Sequence, residues 1–275
     1  LARVFALLVL ILAGAASPVR AQDVFIPHFW EPSLRLDKPD ASGLRVIRFL
    51  TDDDYPPMNF QTDDGKLAGF NVDLARALCD VLNVACTVQA RRWDTLLDAL
   101  RESRGDAVIA SIRSTPQLRG EFAFTAPYLR TPARFVARSD SLVQPSPEAL
   151  AGRSVAVVGG SAHEAYLRTF FPKALLKPYS DLAQAREALL AKEAELLFAD
   201  GLTMAVWLNG SEAAECCSFA GGPYSESRFF GEGVSIVLRR DEPALRKALD
   251  YALKRVSEKG IYAELYLRYF PVGFY

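Results

Sequence analysis

Three runs constrain this chain more than any other feature. Ala107-Val108-Ile109-Ala110, Ser154-Val155-Ala156-Val157-Val158 and Leu196-Leu197-Phe198-Ala199-Asp200 are apolar almost without interruption. A strand with one wet face alternates polar and apolar residues. A continuous run belongs to a strand covered on both faces, as in a parallel sheet sandwiched by helices. The segments around these runs supply the helices. Phe70, Leu74, Leu78 and Leu82 fall on one stripe at i, i+4 spacing. Asp94 is placed to cap a helix carrying Leu96, Leu97 and Leu100, and Leu182, Ala185, Arg186 and Leu189 mark another. Residues 44–50 and 87–90 read as further strands, the first stopped by Asp52-Asp53-Asp54 and Pro56-Pro57. Strand, helix, strand, helix, strand is an α/β layout. It runs twice, because residues 154–158 lead through Gly159-Gly160-Ser161 into a second unit. Residues 234–238 read as a late strand, followed by a helix carrying Leu245, Leu249, Ala252, Leu253 and Val256 and ending at Lys259-Gly260. The chain is therefore expected to return to the first unit at its end. With 275 residues, two lobes of about 100–130 residues each fit better than one small core.

The first residues read differently. Arg3, an apolar run from Val4 to Leu12, and small residues leading to Val19-Arg20-Ala21 have the order of a secretory signal peptide, with cleavage expected after Ala21. The run falls short of the ~20 residues needed to span a bilayer. Residues 22–43, with Pro27, Pro32 and Pro39 and no clean period, read as an extended arm. Lys+Arg total 32 against Asp+Glu 33, and no long basic run occurs, which argues against nucleic acid as the main partner. Four cysteines in an exported chain allow three pairings. Cys79 and Cys86 lie across a helix end and the next strand, where a turn can bring two Cα atoms within the ~4.4–6.8 Å a disulfide requires; two small buried core residues is the alternative. For the adjacent Cys216 and Cys217, a mutual ring, partners elsewhere and free thiols all stay open.

The order of segments resembles the periplasmic solute-binding proteins that deliver amino acids to ABC importers. The residues that carry the resemblance are Thr51-Asp52-x-x-Tyr55-Pro56-Pro57, Gly65-Lys66-Leu67-Ala68-Gly69-Phe70-Asn71-Val72-Asp73-Leu74, Trp93-Asp94-x-Leu96-x-x-Ala99-Leu100 and Gly105-Asp106-Ala107. They continue with Thr115-Pro116, Arg119, Phe124-Thr125-x-Pro127-Tyr128, Gly160-Ser161, Phe198-x-Asp200, Lys259-Gly260-Ile261-Tyr262 and Tyr269-Phe270-Pro271. The resemblance spans residues 44–271. It implies an α/β fold of two lobes, each a mixed sheet flanked by helices, with two crossover hinge strands and a ligand held between the lobes. Lobe 1 would comprise 44–130 plus 234–275 and lobe 2 134–230, with crossings near Arg130-Thr131-Pro132 and Phe230-Gly231-Glu232. The Cys79–Cys86 spacing also looks like the disulfide of the basic-amino-acid members.

A zwitterionic amino acid needs a cation for its carboxylate, an anion for its ammonium and a wall for its side chain. The resemblance implies Arg119 as a bidentate carboxylate clamp, Ser161 at a helix N-terminus as a second carboxylate partner, and Asp200 for the ammonium. Tyr55 and Trp93 would sandwich the ligand side chain, with a cation–π gain if it is basic, and Asp52 would meet a cationic side chain. The chain departs from the family pattern in two places. The family's Thr and Arg in the clamp loop are three apart, whereas Thr115 and Arg119 are four apart. If the Phe124-Thr125 frame is held, Leu118 takes the place of the Arg and Arg113 that of a small hydroxyl residue. A one-residue bulge would restore Arg119 and make Ser114 its hydroxyl partner; alternatively Arg113 adds positive charge and favours a ligand with several carboxylates. Ala162 stands where the family commonly has a hydroxyl.

The expected function is that of a monomeric binding protein, without catalysis or cofactor, that captures an amino acid or similar polar solute and docks on the membrane permease of an ABC importer. The alternatives are a periplasmic enzyme on the same scaffold, resembling cyclohexadienyl dehydratase, and a binder of a carboxylate without an amine. His163 and Glu164 are the one suggestive acid–base pair for the enzyme, and both are expected on a helix surface. Two histidines outside any ligand-spaced cluster argue against a metal centre.

Overall fold

The computed structural model describes residues 26, 35–40, 43–213, 215–270 and 273–274. The expected signal peptide, and all of the expected arm except residues 26, 35–40 and 43, lie outside the described residues.

Two five-stranded sheets organise the rest. The chain opens with β1 (Val46–Thr51), then β2 (Asp54–Tyr55), β3 (Asn59–Gln61) and β4 (Leu67–Ala68), which form a small antiparallel sheet of their own. Helix α1 (Phe70–Leu82) follows, its Phe70, Leu74 and Leu78 fully buried as the stripe requires. Next come β5 (Ala85–Ala90), α2 (Leu96–Arg101), β6 (Ala107–Val108), α3 (Pro116–Glu121) and β7 (Phe122–Phe124). The chain then enters the second sheet through β8 (Ala133–Arg138), β9 (Ser154–Val158), α4 (Ala162–Phe170), β10 (Leu175–Tyr179), α5 (Leu182–Leu190) and β11 (Leu196–Asp200). It continues with α6 (Gly201–Leu208), β12 (Cys217–Tyr224) and α7 (Ser227–Phe230). It returns to the first sheet as β13 (Val237–Arg239) and ends in α8 (Pro243–Glu258) and α9 (Ile261–Tyr269).

The sheet orders are β5-β1-β6-β13-β7 and β10-β9-β11-β8-β12. In the first, β5, β1, β6 and β7 run one way and β13 the other; in the second, β10, β9, β11 and β12 run one way and β8 the other. The layout is thus mixed, and the antiparallel strands come from the segments through which the chain passes between lobes. The two passages touch where Val234 bridges both Leu129 and Arg113. Gly233 allows that approach: its φ is +108°, and a Cβ there would stand 2.6 Å from the Leu129 carbonyl oxygen, a conformation and a contact only glycine tolerates.

The first lobe packs α1, α8 and α9 over its sheet around Phe70, Tyr128, Leu249, Tyr262 and Tyr266. The second also packs aromatic rings, with Phe135 and Phe198 centroids 4.4 Å apart and Tyr166, Tyr224 and Phe230 around them. Each such buried ring contributes roughly 1.5–3 kcal/mol. Helix α6 ties the lobes together, because Leu202 and Ala205 join the core of the first lobe. Cys79 and Cys86 form a disulfide with Cα atoms 5.9 Å apart, and Cys216 pairs with its neighbour Cys217.

Candidate functional site

Polar residues converge on the gap between the lobes, and each lobe supplies them differently. From the first lobe comes Asp52, one residue past β1 and 4 % exposed. The Asn59 amide donates to Asp52 Oδ1 at 2.7 Å, and Asn71 donates to Asn59 Oδ1 at 2.6 Å and to Ser111 Oγ at 3.1 Å. The Tyr128 hydroxyl donates to Asn71 Oδ1 at 2.8 Å and accepts from the Ser111 backbone N–H at 3.1 Å. This relay joins the end of β1, β3, α1, the segment after β6 and the segment after β7 into one floor. Burial and the nearby Asp54 raise Asp52 to a pKa of about 6, against the pull of its own backbone and Asn59.

Tyr55 and Trp93 are 44 % and 55 % exposed. Trp93 is therefore no core aromatic. It opens a short 3-10 turn, Trp93–Thr95, and Asp94 pairs with Arg92 instead of capping α2, whose N-cap position holds Thr95. Burial and the charge of Asp200 raise the pKa of the Tyr55 phenol, and Arg113 partly offsets them. The carboxylate of one lobe thus acts on a hydroxyl of the other.

The second lobe supplies helix caps. Asp200 ends β11 and caps α6, its Oδ1 accepting from the Thr203 backbone N–H and hydroxyl, both at 2.9 Å. That leaves Oδ2 facing the first lobe, where Arg113 Nη2 lies 4.0 Å away. Ser161 caps α4: its hydroxyl donates to the Val158 carbonyl at 2.6 Å and accepts from the Glu164 N–H at 3.2 Å. Glu164 closes the same turn, accepting from the Gly160 N–H at 2.7 Å and from Arg168 at 2.6 Å, which holds its carboxyl below the usual range.

Two expectations about this turn need correcting. Neither His163 nor Glu164 is a surface residue. Glu164 is 9 % exposed, drawn in by the cap it completes. His163 packs against Phe230 and Phe198, ring centroids 5.2 and 5.8 Å away.

The two arginines take different partners. Arg119 lies on α3 and turns toward the hinge, where Nε and Nη2 donate to Ser114 Oγ at 3.2 and 2.7 Å and Nη2 also pairs with Glu232. Arg130 Nε donates to the Glu232 carbonyl at 2.9 Å, fastening this group to both crossovers. Arg113, bridged to Val234, is the guanidinium that meets Asp200. Arg119 and Ser114 are thus brought together, as are Arg113, Asp200, His163 and Tyr55, but the two groups are separate. Asn59, Asn71, Ser111 and Tyr128 were not singled out from the sequence. Asn71 follows Phe70 on the buried face of α1, and a polar residue on such a face is the one signal that marked it.

Cavities of about 360 and 400 Å³ run along one side of the cleft, between Pro56-Pro57 and the Leu202 and Val206 face of α6. Tyr55 and Thr203 line the first, but Asp52, Arg113 and Asp200 line neither.

Comparison with known proteins agrees with this architecture. Residues 47–272 match the family described as bacterial extracellular solute-binding proteins, family 3. The L-arginine-binding protein of Pseudomonas aeruginosa is 28 % identical over 246 residues, covering 89 % of this chain and 92 % of that one. The lysine/arginine/ornithine-binding periplasmic protein of Escherichia coli is 28 % identical over 232 residues, covering 84 % and 89 %. Among solved structures, the L-cystine solute receptor of Neisseria gonorrhoeae in its unliganded open conformation superposes with a TM-score of 0.72 at 21 % identity, covering 82 % of this chain and 92 % of that one. A family match over most of the chain, on a fold of two sheets joined by two crossings, leads to one conclusion: the chain belongs to the family 3 bacterial extracellular solute-binding proteins.

Proposed function

We propose that this protein captures an α-amino acid with a cationic side chain between its lobes, in the periplasm, and presents it to the permease of an ABC importer. The observation that carries the reading is the Arg113–Asp200 pair, a cation from one lobe facing an anion from the other at 4.0 Å. A zwitterion is its complement: the α-carboxylate takes Arg113, the α-ammonium takes Asp200, and the solute replaces a protein–protein ion pair with two charge-assisted contacts. Because the two partners belong to different lobes, satisfying both draws the lobes together, the hinge closure such folds use.

The side-chain preference follows from the remaining charge. With Arg119 engaged by Glu232, the cleft groups are Asp52 and Asp200 against Arg113, a surplus of one negative charge when both carboxylates are ionised. Asp52 supplies that charge beside Tyr55, and Trp93 offers an exposed indole for a cation to stack on. The relatives named for arginine, lysine and ornithine support the same class. The reading is of a binder without catalysis. Glu164 is committed to Gly160 and Arg168, so the pair that suggested acid–base chemistry does not exist as a pair, and the relatives named above carry binding-protein names.

A thermal-shift screen tests this directly, since a solute that binds only the folded state raises Tm by mass action. L-Arginine, L-lysine, L-ornithine and L-histidine are expected to raise Tm, and succinate and other carboxylates without an amine are not. Shifts confined to the amine-free acids would contradict the assignment of Asp200.

A further inference from the structure

The relay that ends on Asp52 has a sense fixed by its two ends. One end is the Ser111 backbone N–H, which can only donate, and it donates to the Tyr128 hydroxyl at 3.1 Å. The other is the Asp52 carboxylate, which when ionised can only accept, and Asn59 donates to its Oδ1 at 2.7 Å. Each group between them is left with one role. The Tyr128 hydroxyl donates to Asn71 Oδ1 at 2.8 Å, and the Asn71 amide donates to Asn59 Oδ1 at 2.6 Å and to Ser111 Oγ at 3.1 Å. Tyr128, Asn71 and Asn59 are fully buried, so water does not interrupt the sequence. Burial raises the Tyr128 phenol, which keeps its proton throughout the range in which Asp52 titrates. Hydrogen bonds aligned head to tail polarise one another, and here they converge on one oxygen of Asp52.

We propose that Tyr128 is a positioning residue that acts through Asn71 and Asn59: the chain holds Oδ1 of Asp52 as an acceptor, favours the ionised carboxylate, and so gives the cleft its preference for a cationic over a neutral side chain. This rests on the reading of Asp52 as the partner of a cationic side chain. The other groups around Asp52 are accounted for. Burial raises its carboxyl to about 6 and Asp54 adds to the rise, while its own backbone and Asn59 pull the other way. Asp53 accepts from Gln61. Arg91, just after β5, is joined to the Thr51 carbonyl through its backbone N–H at 2.8 Å. The Tyr55 phenol, like that of Tyr128, is raised first by burial and stays neutral. Loss of the Tyr128 hydroxyl leaves Asn71 Oδ1 without its donor and weakens the donor that reaches Asp52. That favours the protonated carboxyl and raises its pKa. Affinity for a cation, which climbs with pH as the free protein's Asp52 ionises, then reaches its plateau at higher pH.

NMR titration of the Asp52 carboxyl carbon in the full chain tests the relay without needing a ligand, with Asp52→Asn assigning the signal. Tyr128→Phe is expected to raise the midpoint by about half a unit, and Asn59→Ala, which cuts the last link, by more. Meta-fluorotyrosine in place of Tyr128 loses no contact and donates more strongly, so it is expected to lower the midpoint; it keeps the test decisive if the Phe variant does not fold. A midpoint that neither change at Tyr128 moves overturns the proposal. Calorimetry with L-arginine and its neutral isostere L-citrulline then reads the selectivity. At about pH 6 the preference for L-arginine is expected to fall about twofold in Tyr128→Phe, and in an Asp52→Asn background the same change is expected to leave the ratio where Asp52→Asn put it. Equal losses for both solutes in Tyr128→Phe, with the ratio intact, mean a purely structural role and overturn the proposal. If neither solute binds at any pH, the amino-acid reading fails, while the titration still decides whether Tyr128 governs the charge on Asp52.

Discussion

The two lobes place their polar groups by opposite means. In the second, Asp200 and Ser161 are helix caps, each held by a partner three residues onward. In the first, Asp52 is held by Asn59, Asn59 by Asn71, and Asn71 by Tyr128, a relay that crosses 57 residues of chain in its last step. A cap is a local device, and its loss weakens one helix terminus. A buried relay is shared, and the loss of one member strands its neighbours in a medium where unpaired groups are costly. The first lobe therefore offers a floor built by the whole domain, the second a pair of points presented at helix ends.

The largest effect that sharpens this contrast is expected at Asp200. Asp200→Ala removes both a cap, at about 1 kcal/mol of stability, and the anion, raising Kd about 100-fold or more, some 3 kcal/mol. Asp200→Asn keeps an oxygen for Thr203, so it is expected to restore most of the stability and none of the binding. Chemical denaturation beside calorimetry separates the two. Recovery of binding in the Asn variant would mean that the cap, not the charge, is what the cleft uses. In the first lobe the same experiment is expected to come out the other way. Asn71→Ala breaks bonds to Asn59, Ser111 and Tyr128 at once and is expected to cost about 2–3 kcal/mol of folding stability. A loss no larger than that of a single cap would collapse the distinction between the lobes.

Asp52 gives a smaller and pH-dependent effect. Its folded pKa of about 6 lies above the ordinary carboxylate value, so the native state holds the proton more tightly than the unfolded chain between about pH 4 and 6. Stability attributable to this group is greatest at acid pH and declines as pH rises through about 6. Asp52→Asn removes that penalty and is expected to stabilise the protein by about 1–2 kcal/mol at pH 7.5, with little change at pH 4. Affinity for a cationic amino acid falls in the same variant. Denaturation at the two pH values checks the first expectation; equal effects at both would mean that burial of the charge is not the cause.

The same contrast explains what the sequence revealed. The stripe through Phe70, Leu74 and Leu78 predicts α1, and the turn at Gly159-Gly160-Ser161 predicts a helix entry, because both depend on residues within one or two turns. Asp94 misleads: the strand-to-helix signal is right, but Arg92 lies close enough to take its carboxylate. The small sheet β2–β4 goes unread because its strands are two or three residues long, too short for a period to show. Asn59, Asn71 and Tyr128 are unremarkable singly and gain meaning only when distant segments fold together. The choice between Arg113 and Arg119 is of that kind. Arg113 lies just before α3 and Arg119 on it, and their partners, Val234 and Asp200 for the one and Glu232 for the other, are all far along the chain.

That choice is the centre of the account, and one calorimetric comparison tests it. With the amino acid that gives the largest thermal shift, binding is measured to the unmodified protein, Arg113→Met and Arg119→Met. Arg113→Met is expected to weaken binding about 50-fold or more. Arg119→Met loses a half-exposed pair with Glu232, worth at most about 1 kcal/mol, and is expected to stay within about fivefold. The reverse order would contradict the account, making Arg119 the carboxylate clamp and the Arg113–Asp200 pair incidental to capture.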